Sequence, residues 1–410
     1  MTSTLSQMTR RRFLQSTAGV GLAGLLGAPA AAIGETTVTL PFVNGERPLL
    51  ATYPQKRSMI LQRTWPPLLE TPFEVFDQGV FTPNDRFYVR WHLAGIPMEV
   101  DPAHFRLRVF GHVGKTLELT LDDLVRKFEQ VELAAVNQCS GNSRGFFAPR
   151  VPGAQWANGA MGNARWTGVR LKDVLDSAGV SAGAVAVRCN GLENGAMAAT
   201  PKFKRSLDID HARDGEVMIA YRMNGEPLPL VNGFPIRLVV PGWYAPYWVK
   251  MLTDIEVLDQ PDDNFWMTAE YQIPDSPHAS VRPGQTDFKT VPINRMVPRS
   301  FFTNIRDGAS AKAGVPLELR GIAFGGDAGI AQVKVSIDNG RHWQAAQLGA
   351  DEGKYSFRQW SATVRFAERG PQRAMVIATN ANGVAQPMEP NWNPGGFMRN
   401  VVETVTLRAV

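Results

Sequence analysis

Cysteine is nearly missing from this chain: Cys139 and Cys189 are the only two in 410 residues. So few thiols exclude a small disulfide-framed scaffold, and with no Cys-x-x-Cys-His run, covalently attached haem is excluded as well. The six histidines are scattered and show no His-Glu-x-x-His spacing of a zinc hydrolase. Beyond the first 32 residues nothing resembles a membrane span, and the Gly/Ala-rich stretch inside them is too short to cross a bilayer as a mature helix. Charge is modest too: the formal +5 falls to +2 once residues 1–32, which hold three arginines and no acid, are set aside. With no basic stripe interleaved with aromatics, nucleic acid is excluded as a partner, while an acidic protein partner is not.

What remains is the composition of an ordinary globular chain, 44% hydrophobic and 20% charged, long enough for roughly two domains. At the N-terminus, Thr9-Arg10-Arg11-Arg12-Phe13-Leu14-Gln15 is a twin-arginine pattern, followed by Ala18 to Leu26 and small-residue cleavage options around Ala28 to Ala32. The expectation is a signal peptide over 1–32 and a periplasmic destination. That route carries proteins already folded, which suits a cofactor inserted in the cytoplasm.

Residues 35–81 are rich in Pro, Gly and Arg with little periodicity, and they read as an irregular arm. Beyond them, Thr120 is placed to cap a helix over Leu121–Phe128, with Asp123 at capping-box spacing. A second helix reads from Leu171 to Ala178, closed by Gly179. Phe234 to Val240 reads as a buried strand stopped by Pro241-Gly242. Short helices and strands intermixed over 35–280 imply an α+β domain. After a linker over Pro277–Pro292 the helical signals stop. Leu317–Arg320, Val333–Ile337, the Asp338-Asn339-Gly340 turn and Val402–Leu407 read as an immunoglobulin-like β-sandwich over 285–410.

Cys139 lies in the run Asn137–Phe147, NQCSGNSRGFF, after an alternating apolar stretch from Val131 to Val136. A thiol at a strand end, beside glycine and with Arg144 five positions on, has the setting of a thiolate that ligates a soft metal. A buried structural cysteine remains open on this run alone. So does a disulfide with Cys189, which ends the strand-like run Ala184–Cys189.

Five segments then occur in order: Phe87–Leu93 (FYVRWHL), the Cys139 loop to Arg144, Gly233–Arg237 (GFPIR), Trp248-Val249-Lys250, and Val333–Trp343 (VKVSIDNGRHW). Together they resemble the sulfite oxidase family of molybdenum enzymes, in its haem-free bacterial form. The resemblance implies that Cys139 is the protein ligand to a molybdenum–molybdopterin cofactor. It implies that Arg90, Arg144 and Tyr271 line an oxyanion pocket, with Trp266 packed nearby. The pterin and its phosphate are expected at Tyr88, Val89, Arg90, Trp91, His92, Glu193, Asn232, Arg237, Trp248, Val249 and Lys250. Glu193 and Asn232 stand where the animal pattern has aspartate and histidine. By the same resemblance the Val333–Trp343 segment belongs to a dimerisation domain.

The residue types suit those roles. Arginine offers planar, permanently charged donors able to hold two oxygens of a small oxyanion. Arg399, in WNPGGFMRN, is a further candidate for the pocket. Tyr271 supplies a hydroxyl. Lys250 and Arg237 suit a buried phosphate, which needs neutralising charge. Trp243, Tyr244, Tyr247 and Trp248 read as packing around the pterin entrance or as ordinary core. The expected reaction is oxidation of sulfite to sulfate, with no haem in the chain and electrons leaving to a periplasmic c-type cytochrome. A reductase of the same fold acting on methionine sulfoxide is the alternative, disfavoured by the Arg90-x-His92 run; a non-enzymatic binding protein is the other.

Overall fold

The computed structural model describes residues 36–410, so the twin-arginine segment lies outside the described residues. The architecture is α+β: three main sheets with short helices, then a two-sheet sandwich.

The stretch that reads as an irregular arm is in fact a sheet. Strands Thr37–Thr39, Glu46–Tyr53, Lys56–Arg63 and Leu68–Glu70 run antiparallel and end on Val89–Arg90. The sequence hides it because the Lys56–Arg63 strand is buried on both faces, Met59 and Leu61 in one cluster and Ile60 in another, and is interrupted by a bulge between Leu61 and Arg63. Leu50, Met59, Leu61 and Leu69 instead bury themselves with Val89, Trp91 and Ile96 in one cluster. That cluster fixes Arg90 and Trp91 at the edge of the cleft described below.

The second sheet has the order Lys204–Asp208, Ala186–Gly191, Leu252–Leu258, Leu107–Gly111, Leu117–Leu119. The third has Met218–Met223, Met161–Arg170 and Gln130–Gln138 side by side, with Arg237–Val239 added on Met218–Met223. Of the expected strand over 234–240, only Arg237–Val239 pairs, since Gly233 turns at φ 113° ahead of Phe234. Both expected helices are present. Leu121–Lys127 carries the complete capping box between Thr120 and Asp123, and Leu171–Ala178 ends on left-handed Gly179.

Part of the expected linker pairs as well, Gln272–Pro274 with Thr290–Pro292. The C-terminal strands form a four-stranded and a five-stranded sheet. Leu319, Val333, Val335, Trp360, Val376 and Leu407 interdigitate between them, which is a sandwich core. Its 349–357 loop reaches back onto the first domain. Tyr355 bridges alongside Ala135, and its carbonyl accepts from Val136 N at 2.9 Å. The sandwich thus covers the edge of the strand that leads to Cys139.

Candidate active site

Cys139 directly follows the strand Gln130–Gln138, which is held by Met161–Arg170 in antiparallel register along its whole length. Its amide donates to Ala160 O at 2.9 Å, and its carbonyl accepts from Asn142 N at 2.9 Å, so the thiol is fixed where strand becomes loop. Cys139 and Cys189 are both free and buried. Cys189 pairs within the second sheet, and burial pushes its thiol up to about 12, the state of a core cysteine.

Cys139 lines a cleft. Tyr88, Arg90, His92, Asn232, Arg237, Lys250 and Tyr271, all singled out from the sequence, line the same cleft. Asn137 lines it too. It was not expected, although strand alternation puts it on the face of Cys139, two residues away.

On one side, Glu193 Oε2 accepts from the amides of His92 and Leu93 at 3.2 and 3.3 Å, and its Oε1 lies 3.4 Å from His92 Nδ1. The His92 Nε2 and the Tyr271 hydroxyl are 2.6 Å apart. Burial, then the charge of Arg90, holds the imidazole well below its ordinary range, so His92 is neutral. With its proton on Nδ1 toward Glu193, Nε2 is left to accept from Tyr271. Burial alone would raise Glu193, but its contact with His92 and the charge of Lys250 hold it low and ionised. Phe203 stacks on His92 with ring centres 3.6 Å apart, and Trp266 packs edge-on at 5.5 Å. Burial pushes the Tyr271 phenol up to about 12, so it is a donor at neutral pH.

On the other side lies a group of cations. Arg237 donates to Asn232 O at 2.9 Å and Trp248 O at 3.2 Å, with its guanidinium against the Trp166 and Trp248 rings. Burial lowers it to about 10. The Lys250 ammonium sits 4.4 Å from the Trp91 ring centre, and Trp91 Nε1 donates to Val231 O at 2.9 Å. Val249 O accepts from Leu238 N at 2.8 Å, which fixes the Trp248–Lys250 segment beside the strand of Arg237. Asn232 donates to Tyr88 O at 3.1 Å and accepts from Lys56 at 2.5 Å. Lys56 gave no sequence signal, because it follows a Pro54-Gln55 turn; its ammonium also reaches Phe87 O and Asn84 O at 2.9 and 2.5 Å. Three acceptors around one ammonium mark it as a strut for Asn232, and burial lowers the amine to about 7.

Arg144 and Arg399 sit elsewhere. Arg144 is buried just behind the cleft wall, where Nε and Nη2 donate to Gly395 O and Nη1 to Ala154 O. Arg399 lies 3.5 Å from Glu403 and over the Phe146 ring at 5.1 Å, outside the lining of the cleft. The Trp243, Tyr244, Tyr247 and Trp248 group is core: all four are at most 5% exposed, and Trp243 stacks on His211.

Arg90 Nη1, Arg237 Nε and Asn137 Nδ2 are buried without a partner, and each belongs to a residue lining the cleft. All three are donors, Lys250 adds a fourth, and the one carboxylate nearby, Glu193, is already engaged. Such a wall calls for an acceptor-rich anion. A pterin with a phosphate, plus a metal needing one thiolate, fits this donor set. Fold and cleft together therefore define a molybdopterin-dependent oxidoreductase.

Comparison with known proteins agrees. Residues 92–266 match the oxidoreductase molybdopterin binding domain, and residues 292–409 the Mo-co oxidoreductase dimerisation domain. The chain is 33% identical to sulfite oxidase of Gallus gallus over 345 residues, 80% of this chain and 73% of that one. It is 34% identical to mitochondrial sulfite oxidase of Mus musculus over 359 residues, 83% of this chain, and spans 64% of that protein's length. The fold matches the crystal structure of the sulfane dehydrogenase SoxCD from Paracoccus pantotrophus with TM-score 0.70, 96% of each chain covered, and 22% identity. The chain belongs to the sulfite oxidase family of molybdenum enzymes.

Proposed function

We propose that this protein oxidises sulfite to sulfate in the periplasm and passes the electrons to an external c-type cytochrome. The balance is sulfite plus water giving sulfate, two protons and two electrons. Cys139, Arg237, Lys250 and Asn232 are the residues that would hold the molybdenum–molybdopterin cofactor. Two-electron oxidation with oxygen transfer is the chemistry that cofactor supplies when bound.

The chain's own residues do the rest. Arg90 presents an unpartnered Nη1 to a small dianion, and a fixed guanidinium binds such an anion more strongly in a dry cleft than in water. Tyr271 donates one further hydrogen bond once its hydroxyl turns from His92 to the substrate. Burial and the charge of Arg90 keep His92 neutral, and its Nε2 accepts from the phenol and keeps it in place. Phe203 and Trp266 pack around this pair and keep water from it. Periplasmic export follows from the twin-arginine pattern, and a homodimer through the sandwich is the proposed assembly.

The observation that carries the reading is the convergence of one thiol, one free arginine and a hydrogen-bonded tyrosine on a single cationic cleft. The test is sulfite-dependent reduction of ferricyanide and of cytochrome c by protein purified from molybdopterin-producing cells. Reduction of methionine sulfoxide without any sulfite oxidation would overturn the proposal in favour of a reductase.

A further inference from the structure

The segment 391–399 belongs to the sandwich part of the chain, yet it lies against the Cys139 loop. Met398 N donates to Ser140 O at 3.0 Å, one residue from the thiol. Gly395 O accepts from both Nε and Nη2 of Arg144, at 3.2 and 3.0 Å. Between these, the Phe397 ring stacks on the Tyr271 ring with centres 5.6 Å apart and planes 21° from parallel. The Arg144 guanidinium carbon lies 5.3 Å from the centre of that same Phe397 ring. One aromatic side chain from the second domain therefore touches two groups that the first domain contributes from different segments.

The space around Arg144 is cut to fit. An added Cβ at Gly141 would come within 2.3 Å of Arg144 Nη2, and one at Gly396 within 2.8 Å of Arg144 Cγ. Gly396 also sits at φ +60°, where only glycine is unstrained. The guanidinium thus occupies a slot with one wall from each domain, whereas Arg90 keeps an Nη1 without a protein partner. The two arginines differ in kind: one is set in place by the fold, the other is free to meet a ligand.

We propose that Phe397 is a positioning residue for oxyanion recognition: braced on Arg144, which the fold holds in its slot, it fixes the ring of Tyr271 at the cleft, so that the sandwich domain takes part in binding the substrate. The inference rests on the sulfite reading above. An aromatic ring is needed because its π face attracts the guanidinium and its plane stacks on the phenol, whereas an aliphatic side chain fills volume without doing either.

The experiment compares full-length, molybdenum-loaded wild type with Phe397→Leu and Phe397→Tyr. KM and kcat for sulfite are measured alongside the sulfate dissociation constant from calorimetry, with molybdenum content as a control. Phe397→Leu should raise KM and the sulfate constant together by about tenfold, the effect of weakening one hydrogen bond from a displaced Tyr271 to the anion. Phe397→Tyr should restore both. In an Arg144→Lys background, Phe397→Leu should change the sulfate constant by less than about twofold, because the two residues act as a unit. Independent, additive effects would overturn the proposal, as would a Leu variant that binds sulfate like wild type. If Phe397→Leu loses molybdenum, Gly396→Ala takes its place: its Cβ presses on Arg144, so unchanged constants there refute the slot. Sulfate binding needs no turnover. A wild type that binds sulfate but fails to oxidise sulfite sinks the functional reading while leaving this inference open to the same comparison.

Discussion

Replacing Lys250 by methionine tests whether the cleft is built around an anion. Burial drives the Lys250 amine from 10.5 down to about 7, with Glu193 pulling it up and Arg237 and Arg90 pushing it down. In the cofactor-free protein, the folded state therefore sheds a proton that the unfolded chain keeps between about pH 7 and 10.5. The sign follows: stability rises with pH across that window by up to about 1.4 kcal/mol per unit, the full penalty persists below it, and none remains above it. From pH 7.5 to 9.0 the cofactor-free wild type should gain about 2 kcal/mol on Lys250→Met, or about 2–3 °C in melting midpoint for a chain of this size. A phosphate dianion beside the ammonium keeps it charged, so the loaded wild type should lose this slope. Differential scanning calorimetry of both proteins, loaded and cofactor-free, reads the effect. A gap that does not change with pH in the cofactor-free pair would refute the reasoning.

Cys139→Ser should remove sulfite turnover while circular dichroism and melting midpoint stay near wild type, since the backbone of residue 139 is fixed by bonds to Ala160 and Asn142; retained turnover would remove the thiol from the metal. Arg90→Gln should raise KM for sulfite by about 10- to 100-fold with a smaller fall in kcat, the loss of one charge-assisted contact to the bound anion. Steady-state kinetics decide, and an unchanged KM takes Arg90 out of the substrate site. Thr120→Ala breaks the capping box of the Leu121–Lys127 helix, so it should cost about 1 kcal/mol with KM and kcat unchanged; a melting curve at neutral pH shows it.

Legibility from sequence followed whether a signal was local. The capping box at Thr120 and the left-handed stop at Gly179 depend only on neighbours in the chain, and both helices stand where expected. Strand alternation placed Cys139 at a strand end for the same reason. The sheet over residues 37–70 stayed hidden because its burial is set by contacts with Trp91 and Ile96, far along the chain. Lys56 and Phe397 were invisible on similar grounds. A lysine after a turn looks solvated, and only the fold brings it to Asn232; a phenylalanine after Gly395-Gly396 looks like sandwich core until Tyr271 and Arg144 arrive beside it. Arg399 shows the opposite error. It was a candidate because it could add positive charge to the pocket from the second domain, while four residues on Glu403 lies 3.5 Å from its guanidinium.

Metal analysis of protein purified from cells that make molybdopterin is the most direct check on the account, because the donor-walled cleft and the fixed thiol of Cys139 have one joint purpose in it. About one molybdenum per chain is the expected value, falling away in Cys139→Ser. Wild-type protein free of molybdenum under those conditions would contradict the account.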